Sequence, residues 1–137
     1  MADGLLDTSV VVLLDRVDPE HLPLESTISA LTLAELGVGP LVADDPQERA
    51  LRQVRLQEAE AAFDPLPFDA AVARVWSGLS AQLRREGRTG RARTLDVLIA
   101  ATAKAHGLPL HTVNAADVRG LDGLDVVEVP HPDRDGG

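Results

Sequence analysis

The chain contains no cysteine, only three aromatic residues other than histidine, and no long hydrophobic run in its 137 residues. Without cysteine no disulfide can form, so any fold must be held by its core alone. A chain of this length, treated as one domain, buries roughly two-thirds of its unfolded surface and needs no covalent staple. The absent thiol framework, together with an N-terminus lacking a charged segment followed by an apolar one, leads to the expectation of a cytoplasmic protein. The longest apolar runs, at 10–14 and 97–101, fall far short of a membrane span, which needs roughly 20 residues. With Phe63, Phe68 and Trp76 as the only aromatics, platforms for stacking single-stranded bases are hard to build. A bound nucleic acid would be held mainly through its backbone and shape.

Positive charge is also scarce. The formal net charge is -9 and the pI is about 4.7, which opposes broad nucleic-acid binding, because phosphate affinity normally comes from Lys and Arg. Local sign can differ from global sign, however. Arg84, Arg85, Arg88, Arg91 and Arg93 fall within ten positions, diluted only by Glu86.

Short apolar segments alternate with helical patterns along the chain. A buried strand is expected at 5–6, running into a helix at 8–14, and a brief strand at 27–30 precedes a helix starting near Thr32. There Thr32 and Glu35 have the spacing of a capping box. Segment 46–63 has the pattern of a long amphipathic helix, followed by a short strand around Leu66. Asp69 is the expected N-cap of a helix at 70–85, where Val72, Val75, Trp76, Leu79 and Leu83 recur at helical spacing. After the glycine-containing stretch EGRTGRAR, Thr94 is expected to cap a helix at 95–106 that Gly107 and Pro109 stop. Strands are expected at 110–113 and 126–129, with a short turn or helix opening at Asn114 and a frayed tail at 131–137. Strands alternating with helices predict one α/β domain over 1–130 with a largely parallel sheet buried on both faces. In such folds ligands bind beyond the carboxyl ends of the strands.

Four acids are expected at that edge. Asp7, Glu35 and Asp117 follow predicted strands, and Asp96 sits in the first turn of a helix. Gathered together they would repel, and a divalent cation preferring oxygen ligands, Mg²⁺ or Mn²⁺, relieves the repulsion. Such a site suits phosphodiester hydrolysis. Capping and helix-dipole effects also account for each acid taken singly, and Glu35, inside its capping box, is the clearest case. Asp7 differs because it interrupts the apolar run GLLDTSVVVLL, and Asp96 likewise interrupts TLDVLIAATA. An unpaired carboxylate buried there would be costly.

The stretches LLDTSVVV, TLAEL, TLDVLIAATA and LHTVNAADV, in that order, resemble the four acidic motifs of PIN domains, especially the VapC-type toxins of bacterial type II toxin–antitoxin systems. The resemblance spans the chain from Leu5 to about Val129. It implies an α/β three-layer fold, with a central, mostly parallel sheet flanked by helices, and an endoribonuclease that hydrolyses RNA through a Mg²⁺- or Mn²⁺-activated water. By resemblance Asp7, Glu35 and Asp96 form the acidic core, Asp117 is the more variable fourth acid, and the metal is placed on Asp7 and Asp96. Thr8 and Asn114 match supporting positions. The family often has an arginine just before the asparagine and an aromatic after the fourth acid, whereas this chain has Val113 and Val118. The resemblance further implies a homodimer neutralised by a cognate VapB-type antitoxin in a heterotetramer or larger complex.

The remaining signals are weaker. The arginine cluster is either a solvated connection or a backbone contact for RNA through Arg88 and Arg91. The apolar helix face at 36–42 suits a partner helix. None of the histidines belongs to a metal-ligand spacing such as HExxH. A haloacid-dehalogenase-type phosphatase would need a second Asp where Ser9 stands, and a phosphate-receiving signalling domain would need a lysine on a late strand, whereas Lys104 falls in a helix. The rival that survives is a catalytically silent PIN-like module acting through protein or RNA binding.

Overall fold

A computed structural model describes residues 2–88 and 94–135. Four short strands, β1 (Gly4–Leu6), β2 (Ser26–Thr27), β3 (Leu110–Thr112) and β4 (Val126–Glu128), form one parallel sheet in the order β2-β1-β3-β4. The central pair sets the register, with Leu5 opposite Leu110 and Leu6 opposite His111. Every residue of β1 and β3 is buried, as expected of parallel strands covered on both faces.

Successive side chains of β1 point to opposite faces, and they seed two cores. Leu5 packs with Val72 and Leu79 of α4 (Ala70–Arg85) and with Val97 and Ile99 of α5 (Thr94–Ala105). Leu6 packs with Val10 of α1 (Thr8–Val11), Leu36 of α2 (Ala30–Val42) and Ala59 of α3 (Pro46–Ala62). Three layers result, with α2 against α3 on one side and α4 against α5 on the other. Leu5 and Leu6 are fully buried, each worth about 1.5–3 kcal/mol relative to exposure. Gly107, at φ +66°, ends α5 in the left-handed conformation that a helix C-terminus favours. A short α6 (Ala115–Val118) follows β3, and α7 (Pro132–Asp135) occupies most of the segment expected to be frayed, with Asp133 paired to Arg16.

Among the boundaries that depart from the sequence expectation, two have a plain physical cause. The first helix stops at Val11, because Leu13 and Leu14 donate back only three residues, to Val10 and Val11, and the chain tightens into turns. The second helix begins at Ala30, capped by Ser29, whose Oγ accepts from the Leu31 amide at 3.0 Å. Ser29 also bridges to Leu66. Thr32 and Glu35 therefore lie inside α2, and the capping box expected there does not form.

Candidate functional site

Asp7 leaves the carboxyl end of β1 and is 6 % exposed. It caps α1, and three donors converge on its Oδ2: the Ser9 hydroxyl at 2.5 Å, the Thr112 hydroxyl at 3.1 Å and the Ser9 amide at 3.3 Å. Ser9 and Thr112 are themselves in contact at 3.3 Å. The two hydroxyls are braced by backbone, since the Val113 amide donates to Ser9 Oγ at 3.3 Å and the Asn114 amide to Thr112 Oγ1 at 3.0 Å. No hydrogen bond among the described residues reaches Oδ1. A buried carboxylate is thus compensated through one oxygen while the other keeps its lone pairs.

Glu35 reaches the same neighbourhood from α2. Thr8 Oγ1 donates to Glu35 Oε1 at 2.8 Å and contacts Thr32 Oγ1 at 2.9 Å. With Ser29 as the cap, Glu35 is freed from the terminal role that its sequence context suggested. Its link to Asp7 runs through consecutive residues of α1, where Thr8 holds one acid and Ser9 the other.

Asp96 in the first turn of α5 and Asp117 in α6 face the third side. Together with Asp7, Thr112 and Asn114 they line a depression of about 10 Å³, close to the volume of one water-sized sphere. Asn114 caps α6 by position only, making no side-chain cap bond. Glu35 lies outside this depression and lines an adjoining cleft of about 360 Å³ with Thr8 and α3. The donor set is entirely hard oxygen, but among the described residues no three acidic or histidine side chains approach closely enough to make a metal cage. Mg²⁺ does not require one: it keeps several waters and takes one or two carboxylates. Asp7 and Asp96, on one depression, fit that demand.

Arg88 is engaged within the chain itself. Its guanidinium donates to the carbonyls of Arg119 at 2.9 Å and Asp117 at 3.4 Å and pairs with Glu86 at 2.8 Å. It fastens the backbone around Asp117 to the end of α4. The Arg88 and Gln82 bonds hold the Glu86 carboxyl below its ordinary range. Arg91, expected alongside it, lies outside the described residues.

Sequence reasoning missed Ser9 and Thr112. Ser9 had one local signal, a hydroxyl two residues from an acid in DTS, whereas Thr112, in HTVN, has no acid beside it, and the pair meets only because β1 and β3 are neighbours. His111, on β3, is 6 % exposed, and among the described residues its buried Nδ1 has no hydrogen-bond partner. Burial pushes its pKa down, partly offset by the Pro109 carbonyl and the Asp125 carboxylate.

The PIN-domain family model matches residues 4–119. Ribonuclease VapC5 of Mycobacterium tuberculosis is 38 % identical over 131 residues, covering 93 % of this chain and 94 % of that protein. Ribonuclease VapC4 of the same organism is 35 % identical over 129 residues, covering 92 % and 96 %. The crystal structure of the VapBC-5 toxin–antitoxin system from M. tuberculosis contains a chain that superposes with a TM-score of 0.83 at 34 % identity, covering 94 % of this chain and all of that one.

Proposed function

The chain belongs to the PIN-domain family, and from that premise we propose that it is a metal-dependent endoribonuclease, the toxin of a toxin–antitoxin pair. The observation that carries the reading is the single depression lined by Asp7, Asp96 and Asp117 beyond the carboxyl ends of β1 and β3. Parallel α/β sheets present their ligand sites at this edge.

In this reading Asp7 and Asp96 hold Mg²⁺, with Mn²⁺ an acceptable substitute, and Glu35 and Asp117 complete the acidic site. The ion supplies Lewis-acid charge neutralisation and a more acidic water. The protein's own contribution is orientation. Ser9 and Thr112 fix the Asp7 carboxylate through Oδ2, so that Oδ1 is the oxygen available to a ligand. Thr8 sets the Glu35 carboxylate, and Asn114 lines the depression together with Asp7 and Asp117. The substrate is an RNA phosphodiester and the attacking group is water.

The assembly we propose follows the VapBC relatives: a homodimer neutralised by a VapB-type antitoxin in a heterotetramer or larger complex, working in the cytoplasm. The exposed Val38, Leu41 and Val42 of α2 and Leu51 and Val54 of α3 form an apolar surface suited to a partner helix. One domain over 1–130 carries the activity.

The deciding experiment is RNA cleavage during a Mg²⁺ or Mn²⁺ titration, with the wild type and with Asp7→Asn and Asp96→Asn. Cleavage is expected to appear with metal, to vanish on chelation and to be lost in both variants. Metal-independent cleavage that survives both substitutions refutes the mechanism. RNA binding without cleavage at any metal concentration would instead favour a silent binding module.

A further inference from the structure

We propose that Arg55, on α3, is a phosphate contact that seats the RNA strand against the Glu35 side of the acidic site. The inference rests on the ribonuclease reading above and adds a residue to it.

The cleft that holds Glu35 and Thr8 has α3 as its far wall, which contributes Glu48, Arg52 and Arg55. Arg52 is already engaged: its Nε donates to Glu48 Oε1 and its NH1 to the Gly39 carbonyl, both at 3.0 Å. Glu48 and Arg52 therefore cancel within the wall. Arg55, one turn further along α3, is partly buried, yet among the described residues it has no hydrogen bond and no ion pair. It is the only described arginine of that kind: Arg88 is the other partly buried one besides Arg52, and it is bound to carbonyls and to Glu86.

An unpaired guanidinium in a partly desolvated cleft is poised for an anion, and its planar fork matches phosphate. Arg55 also stands where the Glu35 cleft meets a second groove of about 350 Å³ between α1 and α3. The two share Val12, Glu48 and Arg55 in their linings, and of these Arg55 is the cation without a partner among the described residues. The protein carries a net charge of -9, so a polyanion approaching four carboxylates needs local positive charge at the point of entry. Among the described residues the clefts supply one unspent cation, and it is Arg55. A protein carboxylate would satisfy the same fork, but the position beside Glu35 favours the substrate's own backbone.

The test is binding of a fluorescein-labelled single-stranded RNA oligonucleotide, with Ca²⁺ in place of Mg²⁺, across a salt series, alongside steady-state cleavage in Mg²⁺. Arg55→Ala is expected to weaken binding about 5–10-fold at low salt and to reduce the slope of log K against log salt by about 0.7, the share of one phosphate on a single strand. KM should rise while kcat changes little, the mark of a contact made equally before and during the reaction. Arg55→Lys should recover part of the affinity by restoring the charge without the fork. Arg74→Ala, on the exposed face of α4, should leave the slope unaltered. An equal unfolding midpoint for Arg55→Ala and wild type separates this role from a structural one.

If the wild type binds and cleaves RNA while Arg55→Ala keeps the wild-type KM and salt slope, the assignment is overturned and the ribonuclease reading stands. The assignment falls equally if Arg55→Ala impairs only association with an antitoxin peptide. If the wild type never cleaves, the ribonuclease reading fails, and the salt slope still decides whether Arg55 meets a phosphate.

Discussion

Ser9→Ala, Thr112→Val and the double variant should together show that the two hydroxyls hold Asp7 as one unit. The Ser9 hydroxyl donates to Asp7 Oδ2 at 2.5 Å, within the range of a charge-assisted O–H···O⁻ bond, and Asp7 is only 6 % exposed. Such a bond contributes about 1.5–3 kcal/mol. The Thr112 bond is longer, at 3.1 Å, and its loss should cost about 1–2 kcal/mol. Oδ2 has two lone pairs but receives three donors. Removing one hydroxyl therefore lets the remaining donors tighten, which softens each single loss. With both gone, a buried carboxylate retains, among the described residues, only the Ser9 amide at 3.3 Å, and no second donor is left to tighten. The double variant should exceed the sum of the singles by about 0.5–1 kcal/mol, the coupling typical of residues sharing a network. Urea denaturation followed by circular dichroism measures all four proteins, with a constant m-value confirming that only stability has changed. A Ser9→Ala loss below about 0.5 kcal/mol, or additivity within about 0.3 kcal/mol, would refute the shared-acceptor argument.

Two further perturbations probe the strands beneath the site. A Cβ at Gly4 would stand 2.6 Å from His111 Cε1, 2.8 Å from its Nδ1 and 3.1 Å from Pro23 Cγ, so Gly4→Ala should destabilise by about 1–3 kcal/mol through overpacking. An unchanged thermal midpoint would show that the imidazole moves aside freely. Burial lowers the folded pKa of His111 below its ordinary 6.5. The unfolded chain then binds more protons than the native one between those two values, so this contribution is intact above pH 6.5 and is lost as pH falls through the folded pKa. Between pH 7 and 5 the stability of His111→Gln should fall less steeply than that of wild type, and parallel curves would exclude His111 as the source.

Local patterns carried much of the fold, and the reason is visible in particular residues. The helix expected at 70–85 has those bounds in the structure, because Asp69 accepts from the Val72 amide at 3.0 Å and one face of the helix is apolar. Both signals are local, so sequence suffices. The start of α2 was not legible in the same way. Ser29 and Thr32 are both hydroxyl residues able to cap, and Glu35 makes the second choice look complete. What selects Ser29 is tertiary: β2 pairs with β1, and Ser29 bridges to Leu66 beyond α3. Asp7 and Asp96 stood out as charges in apolar runs, whereas Glu35 and Asp117 did not. Nor did the hydroxyls that serve Asp7, since Ser9 and Thr112 are common residues whose meeting depends on the β1–β3 register.

That difference bears on how such a site survives folding. Carboxylates at one sheet edge oppose one another, and each must be held before any cation arrives. The chain does this separately for three of the acids. Asp7 takes hydroxyl donors on one oxygen, Glu35 takes Thr8, and the backbone around Asp117 is fastened by Arg88. None of these contacts fills the depression between Asp7 and Asp96. The orienting bonds on Asp7 all reach Oδ2, so they resist the motion that repulsion would drive while leaving Oδ1 to a ligand. Placement of the acids is thereby a property of the folded chain, and a cation adds stability only in proportion to its occupancy. Under the proposed function, a site built this way reaches its geometry first and its charge balance afterwards, an order suited to stabilising developing charge without reorganisation.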